Sequence, residues 1–340
     1  MFSLGVITDE ISQDFERAVE IAKKNNLDFV ELRSVWDKLP HALDTPDIRK
    51  IKDILAKADL KVIGIASPVF KCHIEKENEY QEHLEFLKRS INLAHQFNTD
   101  IIRIFTFWKK EISLEQNWDL LIERFGAAIE LAKKEKIKLA LENEHSCLVG
   151  TGKELARFLD ALKMQSEVQS PKSKDLRLKT QDSRLRIDFP VFALWDPCNE
   201  IFAGVTKPPF PSGYEPIADR MIHLHIKDST REGSVNLQAG GGTPKCVPIG
   251  DGWLDWEGQF RALITNNYNG GASLETHWRP DYAKASSGKP DSRSFSAGSP
   301  KMDLTRPGGS AFSSLGEEAS QICLDRIFAI FSKLNLRPLT

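Results

Sequence analysis

Long apolar runs are missing from this chain. No stretch approaches the roughly 18 uninterrupted apolar residues of a membrane span, so a membrane-embedded protein is not expected. The opening MFSLGVITDEISQDFE lacks the basic segment and apolar core of a secretion signal, and the chain is expected to be cytoplasmic. Cysteine is sparse. Cys72, Cys147, Cys198, Cys246 and Cys323 are odd in number, scattered and never in a C-x-x-C pair, which argues against a disulfide framework or a zinc-thiolate site and for reduced thiols. An excess of one charge is lacking too: 46 basic residues face 48 acidic ones, a formal net charge of -2. Such a balance gives no global attraction to nucleic acid or an anionic membrane. It suits a small-molecule substrate better.

What the chain does have is rhythm. Its 340 residues, 41% hydrophobic, can bury a sizeable core. Short apolar runs alternate with amphipathic stretches: LGVIT, DFVELR, KVIGIAS, DIIRIFTF and IKLALE lead to predicted helices near 13–26, 46–59, 79–97, 115–135 and 151–163. VFALWD, MIHLHIKD and GASLETH add three strands, with helices near 255–267 and 317–334 after the last two. Eight alternations predict a single-domain (β/α)8 TIM barrel rather than an open sheet, which usually stops at about five to seven strands. Two segments break the rhythm. Residues 165–187 are charged and poor in large apolar side chains, and 281–315 are rich in Ser, Gly and Pro; both read as flexible insertions.

The strand ends carry the chemistry. Glu142, Asp196, His225 and Glu275 each close an apolar run, and in a parallel barrel such ends converge at one mouth. Alternation of side chains supports the set. With Glu142 inward, Ile137, Leu139 and Leu141 face the helices; in MIHLHIKD, His223, His225 and Lys227 point inward while Ile222, Leu224 and Ile226 point out. Three carboxylates and an imidazole suit one divalent ion, Mn²⁺ or Mg²⁺ first, with Zn²⁺ or Co²⁺ admitted by the imidazole.

Around this set, Lys227 is expected to polarise a substrate oxygen or to pair with Asp228 or a ligand carboxylate, and His223 to orient a ligand. Glu31, Arg33 and Arg103 have inward parity and read as a buried charge network beneath the site. His73, Phe107, Trp108, His145, His277 and Trp278 lie just past strand ends, where aromatics can pack on the C–H faces of a sugar. Gly240, Gly241, Gly242, Gly250 and Gly252 fill the loop after the seventh strand. With no phosphate-loop motif beside them, they read as a tightly turned or flexible loop.

The segments LENEHS, LWDPCN, HLHIKDS and SLETHW, in this order and with TGKEL after the first, resemble the sugar phosphate isomerase/epimerase superfamily of xylose-isomerase-like TIM barrels. The resemblance runs from about residue 4 to residue 280. It implies metal ligands at Glu142, Asp196, His225 and Glu275. In the ketose 3-epimerase branch it implies acid/base work by Glu142 and Glu275, with Arg231 as a substrate contact six residues past the metal His. That branch has a His three residues after the metal Asp, where this chain has Asn199 in a D-P-x-N turn.

The activity implied is metal-dependent isomerisation or epimerisation of a sugar or sugar phosphate, by proton abstraction beside a carbonyl through a metal-stabilised enediolate. The superfamily also holds inosose and dehydroshikimate dehydratases. Endonuclease IV-like repair is disfavoured by Asn199, by Arg103 and Thr106 where extra His ligands would be needed, and by the neutral charge. A non-catalytic sugar-binding barrel leaves the complete ligand set unexplained.

Overall fold

The computed structural model describes residues 2–169, 189–231, 244–280 and 310–336. Eight parallel strands close a barrel: β1 (Ser3–Ile7), β2 (Phe29–Leu32), β3 (Lys61–Ala66), β4 (Ile101–Ile104), β5 (Lys138–Glu142), β6 (Val191–Trp195), β7 (Met221–Ile226) and β10 (Gly271–Leu274). The seam pairs β1 with β10, from Ser3 opposite Gly271 to Val6 opposite Leu274. Between β7 and β10, β8 (Asp228–Ser229) and β9 (Cys246–Val247) form a small antiparallel ribbon.

Helices α1 (Thr8–Ile11), α2 (Phe15–Lys24), α3 (Thr45–Ala58), α4 (Glu77–Gln96), α5 (Trp118–Glu135), α6 (Gly152–Gln169), α7 (Pro197–Phe202), α8 (Trp256–Thr265) and α9 (Ser310–Lys333) follow the strands. Their limits are written in the sequence. Asp14 accepts from the backbone N–H of Glu16 and Arg17 to start α2. Asp44 and Asp47 cap α3 reciprocally, and α3 stops where Asp59 turns left-handed. Leu155, Phe158, Leu159 and Leu162 repeat at helical spacing and bury one face of α6.

The strand parity holds in three dimensions. Ile102, Ile104, Leu139, Leu141, Leu224, Ile226, Ala272 and Leu274 belong to the buried apolar layer, while Glu31, Glu142, His223, His225 and Ser273 meet one another inside the barrel.

Several elements differ from expectation. Helix α6 runs on to Gln169 and α9 starts at Ser310, so the helices extend into both predicted insertions. The remainder of those segments, and Gly240, Gly241 and Gly242, lie outside the described residues. The short α1, α7 and β8–β9 ribbon were not anticipated, since four-, six- and two-residue elements are too short to show a period. All five cysteines are free, four of them buried. Among the described residues, no helix is long and apolar enough to cross a membrane.

Candidate metal centre

Glu142 and Glu275 sit at the mouth-side ends of β5 and β10, His225 near the end of β7, and Asp196 just after β6, where it also caps α7. All four are buried, and one donor atom from each lies within 4.8 Å of the others. His225 Nδ1 is 3.7 Å from Glu142 Oε1 and 3.3 Å from Glu275 Oε2.

The chemistry of this pocket fits a divalent ion. Glu142 Oε2, Asp196 Oδ2 and His225 Nδ1 are buried without a hydrogen-bond partner. Buried acceptors without a hydrogen bond are costly; ion pairing with Lys227 and Arg103 offsets part of that cost at the two carboxylates, and a bound cation would offset more. The donor set, three carboxylates and one imidazole, matches hard or borderline dications.

A belt of fixed cations surrounds the carboxylates. Lys227 Nζ lies 2.7 Å from Asp196 Oδ2 and 2.9 Å from Glu275 Oε2. Arg33 reaches Glu275 Oε1 at 2.6 Å, and Arg103 Nη1 lies 3.4 Å from Glu142 Oε2 and 3.9 Å from Glu275 Oε1. Burial alone opposes charge on Glu275, yet Lys227, His277 and His225 hold its carboxyl well below the usual range. Burial dominates at Asp196, whose carboxyl is pushed up to about 6 with Glu275 and Glu142 adding to the rise and Lys227 opposing it. Burial disfavours a charged His225, but Glu31, Glu275 and Glu142 raise its pKa well above the ordinary imidazole value.

Residues named from the sequence fall into two groups. Asn199 belongs to the centre: its Nδ2 donates to Glu142 Oε1 at 2.9 Å and to Asn143 O at 3.0 Å, and its backbone N–H donates to Asp196 Oδ1 at 3.1 Å. It holds two of the four carboxylates instead of facing a substrate. Lys227 pairs with Asp196 and Glu275 and not with Asp228. His223 meets Glu31 and Ser273, one layer deeper than the four.

The loop residues have partners of their own. Asp228 accepts from the backbone N–H of Ser229, Gly250, Gly252 and Leu254 at 2.9–3.3 Å, so it braces the loop after β7 rather than the centre. Phe107 is a core residue, fully buried and stacked on Phe70 at 4.8 Å. His73 is held between Glu79 Oε2 at 2.8 Å and Lys110 Nζ at 2.7 Å. His145 sits 2.8 Å from Glu144 Oε1 with its ring on Phe202, and Trp108 bridges to Cys147 while Lys71 lies over its ring at 5.7 Å. Arg231 donates to Thr206 O at 3.3 Å and stacks on Trp253. Trp278 packs against the core, while His277 Nε2 stays near the centre, 3.4 Å from Glu275 Oε1.

Sequence reading missed Asp9 and Glu10. Arg33 bonds Asp9 Oδ2 at 2.9 Å and Glu10 Oε1 at 2.6 Å, and Arg279 reaches Glu10 Oε2 at 3.2 Å. A signal was present, since ITDE puts both acids two and three residues past the end of β1, close to the strand-end position that singled out the other four.

Comparison with known proteins agrees with this architecture. An inosose dehydratase of Clostridium perfringens is 22% identical over 258 residues, covering 70% of this chain and 76% of that protein. Among solved structures, the IOLI protein with a binding zinc atom covers 98% of this chain and 99% of its own at 15% identity and a TM-score of 0.64. D-allulose 3-epimerase from Methylomonas sp. covers 97% and 98% at 15% identity, with a TM-score of 0.60. The profile of one family matches residues 19–171 and 184–294, and on that match the chain belongs to the xylose isomerase-like TIM barrel family.

Proposed function

We propose that this protein is a divalent-metal-dependent enzyme acting on a sugar or polyol ketone, whose first step removes a proton from the carbon beside the carbonyl. The observation that carries the proposal is the convergence of the buried Glu142, Asp196, His225 and Glu275, one ligand-type atom from each within 4.8 Å of the others. These four residues would hold the ion, which supplies Lewis-acid polarisation of the substrate carbonyl. Glu142 is then the base, since Asn199 fixes one of its oxygens and leaves the other without a hydrogen-bond partner. Glu275, ringed by Arg33, Lys227 and His277, holds its negative charge. Lys227 stands beside both Asp196 and Glu275 and offers a proton donor to a substrate oxygen.

Return of the proton to the same carbon from the other face gives an epimer, and return to the neighbouring carbon gives aldose–ketose isomerisation. A second reading, loss of water from a cyclic polyol ketone, is favoured by the curated inosose dehydratase relative and by the unequal surroundings of the two glutamates. One assay separates them. Protein loaded with Mn²⁺ is incubated in D₂O with ketoses, aldoses and inososes. Deuterium at carbon with a new epimer or isomer supports the first reading, an enone absorbance supports the second, and absence of both C–H exchange and enone rejects both. Glu142→Gln should lower turnover by about 10²–10⁴-fold with the fold retained.

A further inference from the structure

Beneath the four-residue set lies a second layer whose role the proposed reaction does not assign. We infer that Glu31 is a positioning residue: it accepts the Nε2 proton of His225, fixes that tautomer, and thereby presents Nδ1 as the metal-binding nitrogen. The inference rests on the metal-centre reading above.

Glu31 is buried at the end of β2, with its carboxylate oxygens 3.4 Å and 3.3 Å from His225 Nε2. The other ring nitrogen, Nδ1, faces Glu142 and Glu275 and has no hydrogen-bond partner. Nδ1 is the nitrogen on the side of Glu142, Asp196 and Glu275, so a cation held there would meet it, and the one proton left on the ring would sit on Nε2 against Glu31. Such an outer carboxylate orients the ring and raises the basicity of the ligating nitrogen.

The surrounding backbone is shaped to this contact. The β2–β3 register slips between Val30 and Glu31, and the β6–β7 register slips so that Leu194 stands opposite His223. Irregularities of this kind re-aim strand side chains next to sites. His223 Nε2 lies 3.0 Å from Glu31 Oε2 and 2.9 Å from Ser273 Oγ, which pins the carboxylate from the far side. Gly271 keeps the room: a Cβ there would come within 2.9 Å of the His223 ring.

Glu31, His223 and His225 also lie close enough to be taken for a metal group themselves. Their facing atoms already satisfy one another, unlike those of the upper set, so the lower group orients and the upper group binds.

Two measurements test this. Long-range ¹H–¹⁵N NMR of zinc-loaded protein, with His225→Asn used for assignment, should show His225 protonated at Nε2 and ligated through Nδ1; ligation through Nε2 overturns the inference without any Glu31 variant. Calorimetric titration with Mn²⁺ should give Glu31→Ala a Kd weaker by about 10–100-fold, with Glu31→Gln between it and wild type because its amide oxygen still accepts. Wild-type affinity in Glu31→Ala, alongside lost binding in Glu142→Gln, overturns the inference and leaves the metal centre standing. Absence of Mn²⁺ uptake by the wild-type protein overturns both.

Discussion

Arg33 spends each of its guanidinium nitrogens on a different carboxylate: Nε on Asp9, Nη2 on Glu10 and Nη1 on Glu275. Removing it leaves three acids crowded at the mouth without the cation they share. Arg33→Ala should destabilise the fold by about 3–5 kcal/mol in urea unfolding, and Arg33→Lys should recover little, since a point charge cannot span three acceptors. Asn199→Ala removes the donor at 2.9 Å from Glu142 Oε1. It should weaken Mn²⁺ binding about tenfold or more by calorimetry. The four ligand-type residues were legible in the sequence because strand alternation fixes which way a strand-end side chain points. Glu31 was legible only as a buried charge, because its partner His225 is set by the register of distant strands. Phe107 and Asp228 were misplaced for a simpler reason: past a strand end the alternation stops, and loop geometry chooses the partner.

The turn after β6 and the start of α6 share a buried acid. Glu200, on α7, accepts from the backbone N–H of Gly152 at the start of α6. Space there is tight, since a Cβ on Gly213 would lie 2.5 Å from the Glu200 carboxylate. Burial pushes this carboxyl up to about 7 from 4.5, with Glu154 adding to the rise and the Gly152 N–H opposing it. A raised acid pKa means that the folded form holds its proton longer than the unfolded form. Stability from this group is therefore full below about pH 4.5 and is lost as pH rises towards 7, by at most about 3 kcal/mol. Glu200→Gln keeps the acceptor and removes the charge. Its melting temperature should exceed wild type at pH 8, and the gap should shrink towards pH 5. At this scale the long helices were readable from their apolar period, within a few residues at most ends. The small ribbon β8–β9 was not, because its two-residue strands are held by Asp228 and the backbone rather than by a pattern.

The last helix of the barrel packs back against its first. On α9, Gly316 lies so close to α1 that a Cβ would come within 2.5 Å of Ile11 O. Ser320 donates to Glu10 O at 3.2 Å, and Phe331 packs edge-on to Phe2 and Phe260. Gly316→Val should force α9 off α1 at a cost of about 1–3 kcal/mol, seen as a melting point lower by several degrees. Because α1 carries the acids that hold Arg33, Mn²⁺ affinity should fall with it. The eight-fold alternation made the architecture readable from sequence, but nothing local to α9 foretells that it seats the acids at the mouth.

The β1–β10 seam also bears on biosynthesis. One edge of β1 waits for a partner far along the chain, Ser3 opposite Gly271, and Glu275 follows directly after that partner. Products truncated before β10 would lack both the closing strand and Glu275, and they would expose an open sheet edge that invites aggregation.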